Sequence, residues 1–470
     1  MRSYPGTMAR RNEIMMASVG IDYQRFNEGI LAFNYEAMME EVGYGLEEVT
    51  RIQKGVSVGN TPLIELRNLT RLARRLAPPG KGARIFLKDE AANPSGSFKD
   101  RRAALSAYHA KTLGYKGMIA ATSGNYGAAV ASQAAALGLE CIVAQEVYDS
   151  QGRGQPEILE KGRKCEAYGA EVVQLTVGPE LFYVFLLLLE ETGYFNASLY
   201  TPFAIAGIET LGYEVGTQVT SQVGRPPAAV LVTHAGGGNI TGTARGLRKA
   251  GCQSTHVVAV SVDLSGLHMA SDRDFNRKSF TTGHTGFGVP FATWPDRVDV
   301  PRNAARPLRY MDRYVTVSQG EVFYVTEALS QLEGLERGPA GNTSLAAALV
   351  IAGEYPEDEA VVVQETEYTG AGKLPSSQLS FARGLGVKVR RGDPGESIPG
   401  QSIVTPEHPG QLRLTEVDLE GLARSYLRKA LAALEGKSLD ASTVCFLAQE
   451  VRQSEDFVRE FASVSAQESR

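Results

Sequence analysis

The chain has 470 residues, of which 43% are hydrophobic and 21% are charged, and its formal net charge is −5. This composition is typical of a large α/β protein with an ample core, and the net acidity argues against a nucleic-acid-binding protein. No run is apolar enough to cross a membrane and no signal-peptide core precedes the acidic N-terminal residues, so we expect a cytoplasmic protein.

Strand-like and helix-like runs alternate through the middle of the chain. The strand-like runs are residues 116–121, 141–145, 171–175, 229–233, 256–262, 314–317 and 360–364. A repeated βα order indicates mainly parallel sheets that are covered on both faces by helices. The first three runs predict one open sheet and the last four predict a second. A ligand should bind between them, at the carboxyl ends of the strands.

Lys99 lies where a turn-prone stretch, residues 93–98, runs into a helix-like pattern that continues to Ala110. An amine at a helix start is held rigidly and feels the positive end of the helix dipole, which disfavours its protonated form. Such an amine is well suited to attack a carbonyl carbon. The alternative interpretation is a solvated lysine in the first turn of a helix.

Residues 122–127 form a first glycine-rich loop between an apolar run and an alanine-rich helical stretch. A strand, a tight turn and a helix in that order leave backbone N–H groups free to bind an anion such as a substrate carboxylate. The same pattern also fits an ordinary βα turn in which Asn125 caps the helix.

Residues 235–242 form a second glycine-rich loop, which opens a helix. Three consecutive glycines let backbone amides close around a phosphate group without obstruction by a Cβ. The loop lacks the lysine of a nucleotide P-loop and the spacing of a dinucleotide fingerprint, which argues against ATP and NAD. A lone glycine triplet can also be only a flexible turn.

Thr369 follows the last strand-like run, within residues 367–373. A threonine hydroxyl at a strand end can hydrogen-bond a ring nitrogen without fully protonating it. The alternative is a plain strand-to-loop turn.

These four segments, in this order, resemble the motifs of threonine synthase-like enzymes of fold type II, which use pyridoxal 5'-phosphate (PLP). The resemblance covers roughly residues 59–373, with Ala371 as a departure between the two glycines of the last motif. It implies that PLP is bound covalently at Lys99, the catalytic residue. The implied cofactor-binding residues are Lys99, Asn125, Gly236, Gly237, Gly238, Asn239 and Thr369. The implied substrate-binding residues are Thr122, Ser123, Gly124 and Asn125.

The resemblance also implies an architecture like that of the tryptophan synthase β chain. We expect two open, mainly parallel sheets with flanking helices and with PLP between the two lobes. Residues 93–221 would form a smaller domain carrying Lys99 and the carboxylate loop, and residues 58–92 and 222–385 a larger domain that binds the phosphate. Residues 1–57 and 386–470 are predicted to be helical extensions.

Further segments are similar to the β subunits of 2-amino-4-oxopentanoate thiolases, threonine synthase-like proteins of bacterial ornithine degradation. They are residues 10–15, 88–92, 178–182, 291–297 and 338–343. This similarity implies cleavage of 2-amino-4-oxopentanoate with coenzyme A to alanine and acetyl-CoA, together with a small α subunit, and we also expect homodimerisation. The alternatives are a threonine synthase or a PLP-dependent β-eliminating lyase, and a non-catalytic subunit that only binds PLP or coenzyme A.

The long segment 264–313 shows little periodicity and ends in a run of arginines at positions 302, 306, 309 and 313. They would receive coenzyme phosphates or a partner's acidic face, or they form a solvated basic stretch. We expect His268 and His284 to be structural. The four scattered cysteines indicate neither a zinc site nor a disulfide framework.

Overall fold

The computed structural model describes residues 3–122, 124–149, 151–178, 180–264, 279–281, 300–434 and 439–468. Its strands are β1 (Leu63–Glu65), β2 (Arg84–Asp89), β3 (Gly117–Thr122), β4 (Glu140–Tyr148), β5 (Glu171–Thr176), β6 (Phe195–Asn196), β7 (Ala229–Thr233), β8 (His256–Val262), β9 (Arg313–Val317), β10 (Ala360–Glu365), β11 (Lys388–Arg391), β12 (Ser402–Thr405) and β13 (Thr415–Glu416).

The helices follow the same chain order. The first nine are α1 (Tyr4–Ala9), α2 (Arg11–Val19), α3 (Tyr35–Glu40), α4 (Leu46–Gly55), α5 (Arg67–Leu76), α6 (Lys99–Thr112), α7 (Asn125–Leu137), α8 (Pro156–Ala167) and α9 (Glu180–Thr192). The others are α10 (Pro202–Val223), α11 (Gly238–Lys249), α12 (Pro307–Tyr310), α13 (Gln319–Glu333), α14 (Thr343–Ile351), α15 (Pro375–Gly384), α16 (Leu419–Ala433), α17 (Ala441–Val451) and α18 (Glu455–Glu468).

Two mainly parallel sheets organise the described residues, as the alternating pattern predicts. The smaller has the strand order β5-β4-β3-β6 and the larger has the order β1-β2-β10-β7-β8-β9-β13. All neighbours in the smaller sheet are parallel, whereas only the edge strands β1 and β13 are antiparallel in the larger one. All six residues of β10 are buried, because helices cover both faces of this central strand.

Helix α10 connects helices α6 and α11, because it packs against both of them. A Cβ at Gly207 would lie 2.3 Å from the carbonyl oxygen of Arg101 on α6, and a Cβ at Gly212 would lie 2.1 Å from that of Thr243 on α11. Only glycine permits backbones to approach this closely. The start of α6 and the start of α11 are therefore held at a fixed separation.

The C-terminal region departs from its prediction. Residues 386–470 were expected to be helical, but they contain the parallel pair β11–β12, and β13 pairs with β9 of the larger sheet. The purely helical part begins at Leu419. Short exposed strands with many charges, such as β11, have no hydrophobic alternation by which the sequence could reveal them. The remaining domain boundaries stay predictions.

None of the helices in the described ranges is long and apolar enough to cross a membrane. Within the same ranges, no group of three or more histidine, cysteine or acidic side chains could hold a metal ion. Cys141, Cys165 and Cys252 are buried, Cys445 is partly exposed, and all four are free thiols.

Candidate active site

Lys99 is the first residue of α6, and its Nζ lies 4.4 Å from the ring centroid of Phe98. The side chain keeps some access to solvent, yet its amine is surrounded by protein. Burial lowers the pKa of Lys99 to about 7, against the attraction of the nearby Glu367 carboxylate. The positive charges of Lys161 and Arg102 lower it further. A large fraction of this amine is therefore uncharged at neutral pH, as a nucleophile or a base requires.

The first glycine-rich loop is the turn between β3 and α7. The Thr122 hydroxyl oxygen accepts hydrogen bonds from the backbone N–H groups of Gly124, at 2.9 Å, and Gly127, at 3.3 Å. Thr122 thus holds the turn in shape, whereas its predicted contact with substrate stays a prediction. Ser123 lies outside the described residues.

Asn125 begins α7 and faces a buried cluster of charged side chains that we call the lysine–glutamate cluster: Glu157, Lys161, Glu367 and Lys373. Its Nδ2 donates to Oε2 of Glu367 at 2.5 Å, and its Oδ1 accepts from Nζ of Lys373 at 3.4 Å. Lys373 also forms an ion pair with Glu367, and Lys161 with Glu157. Nζ of Lys161 lies 3.9 Å from Oε2 of Glu367, which joins the two pairs.

Glu367 and Lys161 keep their charges although they are buried, whereas burial raises the pKa of Glu157 and lowers the pKa of Lys373. Burial opposes ionisation of Glu367, but Lys373 and Lys161 lower the pKa of this carboxyl to about 2. Burial likewise disfavours the charged form of Lys161, but Glu157 and Glu367 outweigh it and raise the pKa of this amine. A Cβ at Gly124 would lie 3.2 Å from Nζ of Lys161, so the cluster borders the first glycine-rich loop.

Sequence reasoning assigned no role to the members of this cluster. Glu367 and Lys373 lie within the last motif, and Glu157 and Lys161 have the i, i+4 spacing of a pair that is usually solvent-exposed. Nothing in the sequence marks Lys161 as buried. Its proximity to Glu367 depends on the packing of α8 against the loop after β10.

The second glycine-rich loop is the turn between β7 and α11. Gly237 has φ +84°, in the left-handed region that favours glycine, and a Cβ there would also lie 2.5 Å from Cγ of Pro307. Asn239 is buried, and its Nδ2 has no hydrogen-bond partner in the described structure. A loop of small residues at a helix start, next to an unused buried donor, fits a bound anion.

The two loops and Lys99 fit the shape of PLP. Arg102 stands one turn after Lys99 on α6, on the same face of the helix, and a Cβ at Gly238 would lie 2.7 Å from its Nη1. Helix α6 therefore carries the amine that would hold the aldehyde carbon of PLP and, one turn later, an arginine whose guanidinium reaches the phosphate loop. The residues present can hold both ends of the cofactor.

Thr369 lies in the loop that follows β10 and is partly exposed. That loop is fixed to α8, because Oε2 of Glu160 accepts a hydrogen bond from the backbone N–H of Gly372 at 2.6 Å and Oε1 accepts from the Tyr368 hydroxyl at 3.1 Å. No side-chain hydrogen bond engages Thr369 in the described part of the chain, and its contact with the pyridine nitrogen stays a prediction.

The arginines between positions 302 and 313 do not form the open basic surface that the sequence suggested. Arg306 is buried in an ion pair with Glu450, and Arg313 pairs with Glu354 and Glu416. Arg309 donates to Oε1 of Gln449 at 2.8 Å, and Arg302 lies over the ring of Phe33, 5.1 Å from its centroid.

Their partners come from distant parts of the chain, which the local sequence does not reveal. These contacts remove support for coenzyme or partner binding by this stretch. His268, His284 and the segment 291–297 lie outside the described residues.

Comparisons with known proteins show the family to which this chain belongs. The family model described as pyridoxal-phosphate dependent enzyme matches residues 56–367. The chain is 65% identical over 456 residues to a 2-amino-4-ketopentanoate thiolase beta subunit from an unknown prokaryotic organism, and 64% identical over 457 residues to one from Acetoanaerobium sticklandii, with 97% of both chains covered each time. The crystal structure of the T.th. threonine deaminase superposes with a TM-score of 0.52 at 27% identity, covering 70% of this chain and all of that one. The chain therefore belongs to the family of pyridoxal-phosphate-dependent enzymes, and its cofactor is PLP.

Proposed function

We propose that this enzyme cleaves 2-amino-4-oxopentanoate with coenzyme A, giving alanine and acetyl-CoA, in ornithine degradation and together with a small α subunit. The observation that carries the proposal is the near full-length similarity to chains named as thiolase beta subunits, for the same compound under the name 2-amino-4-ketopentanoate. The word subunit in those names supports a second polypeptide. Homodimerisation of this chain stays a prediction.

The overall reaction balances without a further reactant. The thiolate sulfur of coenzyme A attacks the C4 ketone carbon, and the C3–C4 bond breaks. The acetyl group remains on sulfur, and the electron pair left on C3 takes up a proton to become the methyl group of alanine. When bound, PLP supplies the electron sink that makes chemistry next to the amino carbon accessible.

Lys99 is the residue that we propose moves the α proton. Its pKa near 7 makes the amine both a competent base and a competent acid close to neutral pH. With its amine free at the site, Lys99 would take up the proton from the amino carbon of the substrate.

The first glycine-rich loop is proposed to orient the substrate. The backbone N–H groups at the start of α7 and the ammonium of Lys161 beside Gly124 provide positive charge for a carboxylate.

The test combines the purified chain with its candidate small subunit and measures coenzyme A-dependent loss of 2-amino-4-oxopentanoate and formation of acetyl-CoA. The isolated chain, loaded with PLP, should exchange the α proton of the substrate for solvent deuterium but release little acetyl-CoA. Proton abstraction and carbonyl attack have separate geometric demands, so one can proceed without the other. The Lys99→Ala chain serves as the control for both readouts.

Product identity separates the proposal from its alternatives. Phosphate released together with threonine would indicate a threonine synthase, and ammonia with a keto acid would indicate a β-eliminating lyase. Full coenzyme A-dependent turnover by the single chain would contradict the need for a second subunit. Failure to exchange the α proton would indicate another amino acid substrate.

A further inference from the structure

Arg102 is a buried arginine for which the described structure offers no acidic partner. The residue is 4% exposed. Its Nη1 donates to the carbonyl oxygen of Leu199 at 2.9 Å, and its buried Nε has no hydrogen-bond partner. Buried charges are almost always paired, because an unpaired one loses its hydration without compensation. The guanidinium of Arg102 is therefore short of an anion.

The neighbouring Arg101 shows what pairing looks like in the same helix. Arg101 is fully buried and donates to both Glu90 and Glu214, at 2.7 to 2.9 Å. Burial alone would lower the pKa of Arg101, but these two carboxylates outweigh it and raise the value above its usual range. For Arg102, burial lowers the pKa to about 10, and no carboxylate opposes it.

The unpaired guanidinium points at the second glycine-rich loop. A Cβ at Gly238, the first residue of α11, would lie 2.7 Å from Nη1 and 2.8 Å from Nη2 of Arg102. The same loop holds the buried Nδ2 of Asn239, which also has no partner in the described structure. A guanidinium from α6 without an acidic partner in the described residues and an unused buried donor from α11 thus meet at one helix N-terminus, where backbone N–H groups favour negative charge.

We propose that Arg102 binds the phosphate group of PLP, closing the glycine cradle from the side of α6. A phosphate dianion supplies the negative charge that the described protein residues do not provide. A planar guanidinium can bind two phosphate oxygens with parallel hydrogen bonds. Because Lys99 and Arg102 lie one turn apart on α6, this helix then holds both the aldehyde end and the phosphate end of the cofactor. The inference depends on PLP as the cofactor and not on the thiolysis reaction.

The experiment compares PLP with pyridoxal, which carries the same aldehyde but lacks the phosphate. Apoenzymes of the parent, Arg102→Met, Arg102→Lys and Arg225→Met are titrated with each compound, and bound ligand is measured by absorbance and equilibrium dialysis. Arg225 is the matched control, because it forms an exposed ion pair with Asp358 before β7, at the opposite end of that strand from the loop.

Arg102→Met should weaken PLP binding by about 10- to 100-fold, the usual effect of losing a charge-assisted hydrogen bond. At pH 9, where the Lys99 amine is largely uncharged in parent and variant alike, the affinity of Arg102→Met for pyridoxal should change less than about twofold, which is the scatter expected without a lost contact. Arg102→Lys should fall between the parent and Arg102→Met for PLP, and Arg225→Met should match the parent for both compounds.

Thermal unfolding of the apoenzymes gives a readout that does not depend on Lys99. Inorganic phosphate should raise the melting temperature of the parent and of Arg225→Met, and it should raise that of Arg102→Met much less. Without phosphate, Arg102→Met should melt at or above the parent temperature, because an uncompensated buried charge has been removed.

Three results would overturn the proposal. Equal losses of PLP and pyridoxal affinity in Arg102→Met would show general damage to the site. Unchanged PLP affinity in Arg102→Met and Arg102→Lys would show that the guanidinium does not reach the phosphate. An apo Arg102→Met protein that is unfolded or melts well below the parent would assign Arg102 to the fold.

Discussion

Each of the two glycine-rich loops is a turn between a strand and a helix, but the charged side chains next to them differ. Behind the first loop, Glu367 pairs with Lys373 and lies close to Lys161, so positive and negative groups neutralise each other. Behind the second loop, the guanidinium of Arg102 has no acidic partner in the described residues. Self-paired charges suit a site that a substrate enters and leaves, whereas an unpaired charge suits a group that stays bound.

The backbone conformations of the two loops also differ. Gly237 has φ +84° and requires glycine, whereas Gly124 has φ −177°, an extended conformation that any residue adopts. At Gly124 the limit is the side chain of Lys161, 3.2 Å from the position of a Cβ. The second loop is thus fixed by its backbone and the first by its neighbours.

We expect the largest effect on cofactor binding from a substitution of Lys99, the proposed attachment point of PLP. Lys99→Ala removes the only amine proposed to bind the cofactor covalently, so the visible band of bound PLP should be absent, and after borohydride reduction and dialysis no pyridoxyl group should remain attached to the chain. Phosphate-end binding should survive, because Arg102 and the second loop are unchanged. Borohydride-resistant labelling at the parent level in the variant would remove Lys99 from this role.

The next largest effect should distinguish the loops by their backbones. Gly237→Val forces a branched residue into the left-handed region and against Pro307, so PLP affinity should fall by more than tenfold. Gly124→Ala should keep PLP affinity within about threefold and instead raise the substrate concentration needed for α-proton exchange, because Lys161 must shift slightly.

Equilibrium dialysis with PLP and unfolding of the apoenzymes check this pair. The strain at Gly237 should also lower apo stability, by roughly 1–2 kcal/mol. Equal PLP affinity in Gly237→Val and the parent would contradict the cradle.

The parts of this site that follow strands were predictable from the sequence. The glycines, Asn125 and Lys99 stand in contiguous runs whose local pattern already predicts strand, turn and helix. The seven predicted strand-like runs all correspond to strands of the two sheets. The local periodicity of the sequence is enough to predict a strand or helix where the residues of that element alone determine its structure.

The parts that depend on distant pairing were not predictable. Strand β2 carries Lys88, and a lysine argues against a buried strand. The ammonium of Lys88 nevertheless donates to Oε2 of Glu214 at 2.8 Å, and Glu214 lies on α10, far along the chain. Arg102 reads in the sequence as one more basic residue beside Arg101. Only the folded structure shows that Arg101, and not Arg102, forms ion pairs with carboxylates of the described residues.

A third prediction tests the charge balance of the first loop. Glu367→Gln leaves Lys373 buried without its counter-ion, so the free energy of unfolding of the apoenzyme should fall by about 3–5 kcal/mol at pH 7. The loss should shrink at pH 9, because an unpaired buried lysine escapes the penalty by releasing its proton.

Urea denaturation at both pH values measures this effect, with Asp358→Asn as the exposed control. That variant breaks only the exposed pair with Arg225, which solvent screens, so its loss of stability should be small and its urea midpoint close to that of the parent. A similarly small loss in Glu367→Gln would show that the cluster does not depend on this carboxylate.

The smallest effect links the first loop's charges to the chemistry of Lys99. Burial gives the Lys99 amine a pKa of about 7, so the rate at which the apoenzyme captures pyridoxal should rise with pH about a midpoint near 7 and not near the ordinary lysine value. The sign follows from the reactive species: lower pH protonates the amine and stops attack on the aldehyde, whereas higher pH frees it. Pyridoxal is chosen because it has no phosphate whose own titration would distort the profile.

In Glu367→Gln the midpoint should move to lower pH, since the Glu367 carboxylate favours the protonated form of Lys99. In Arg102→Met it should move to higher pH, because the positive charge of Arg102 disfavours that form. Opposite shifts in these two variants would show that the paired and unpaired charges act on one amine; a midpoint near the ordinary lysine value in the parent would show that burial does not tune it.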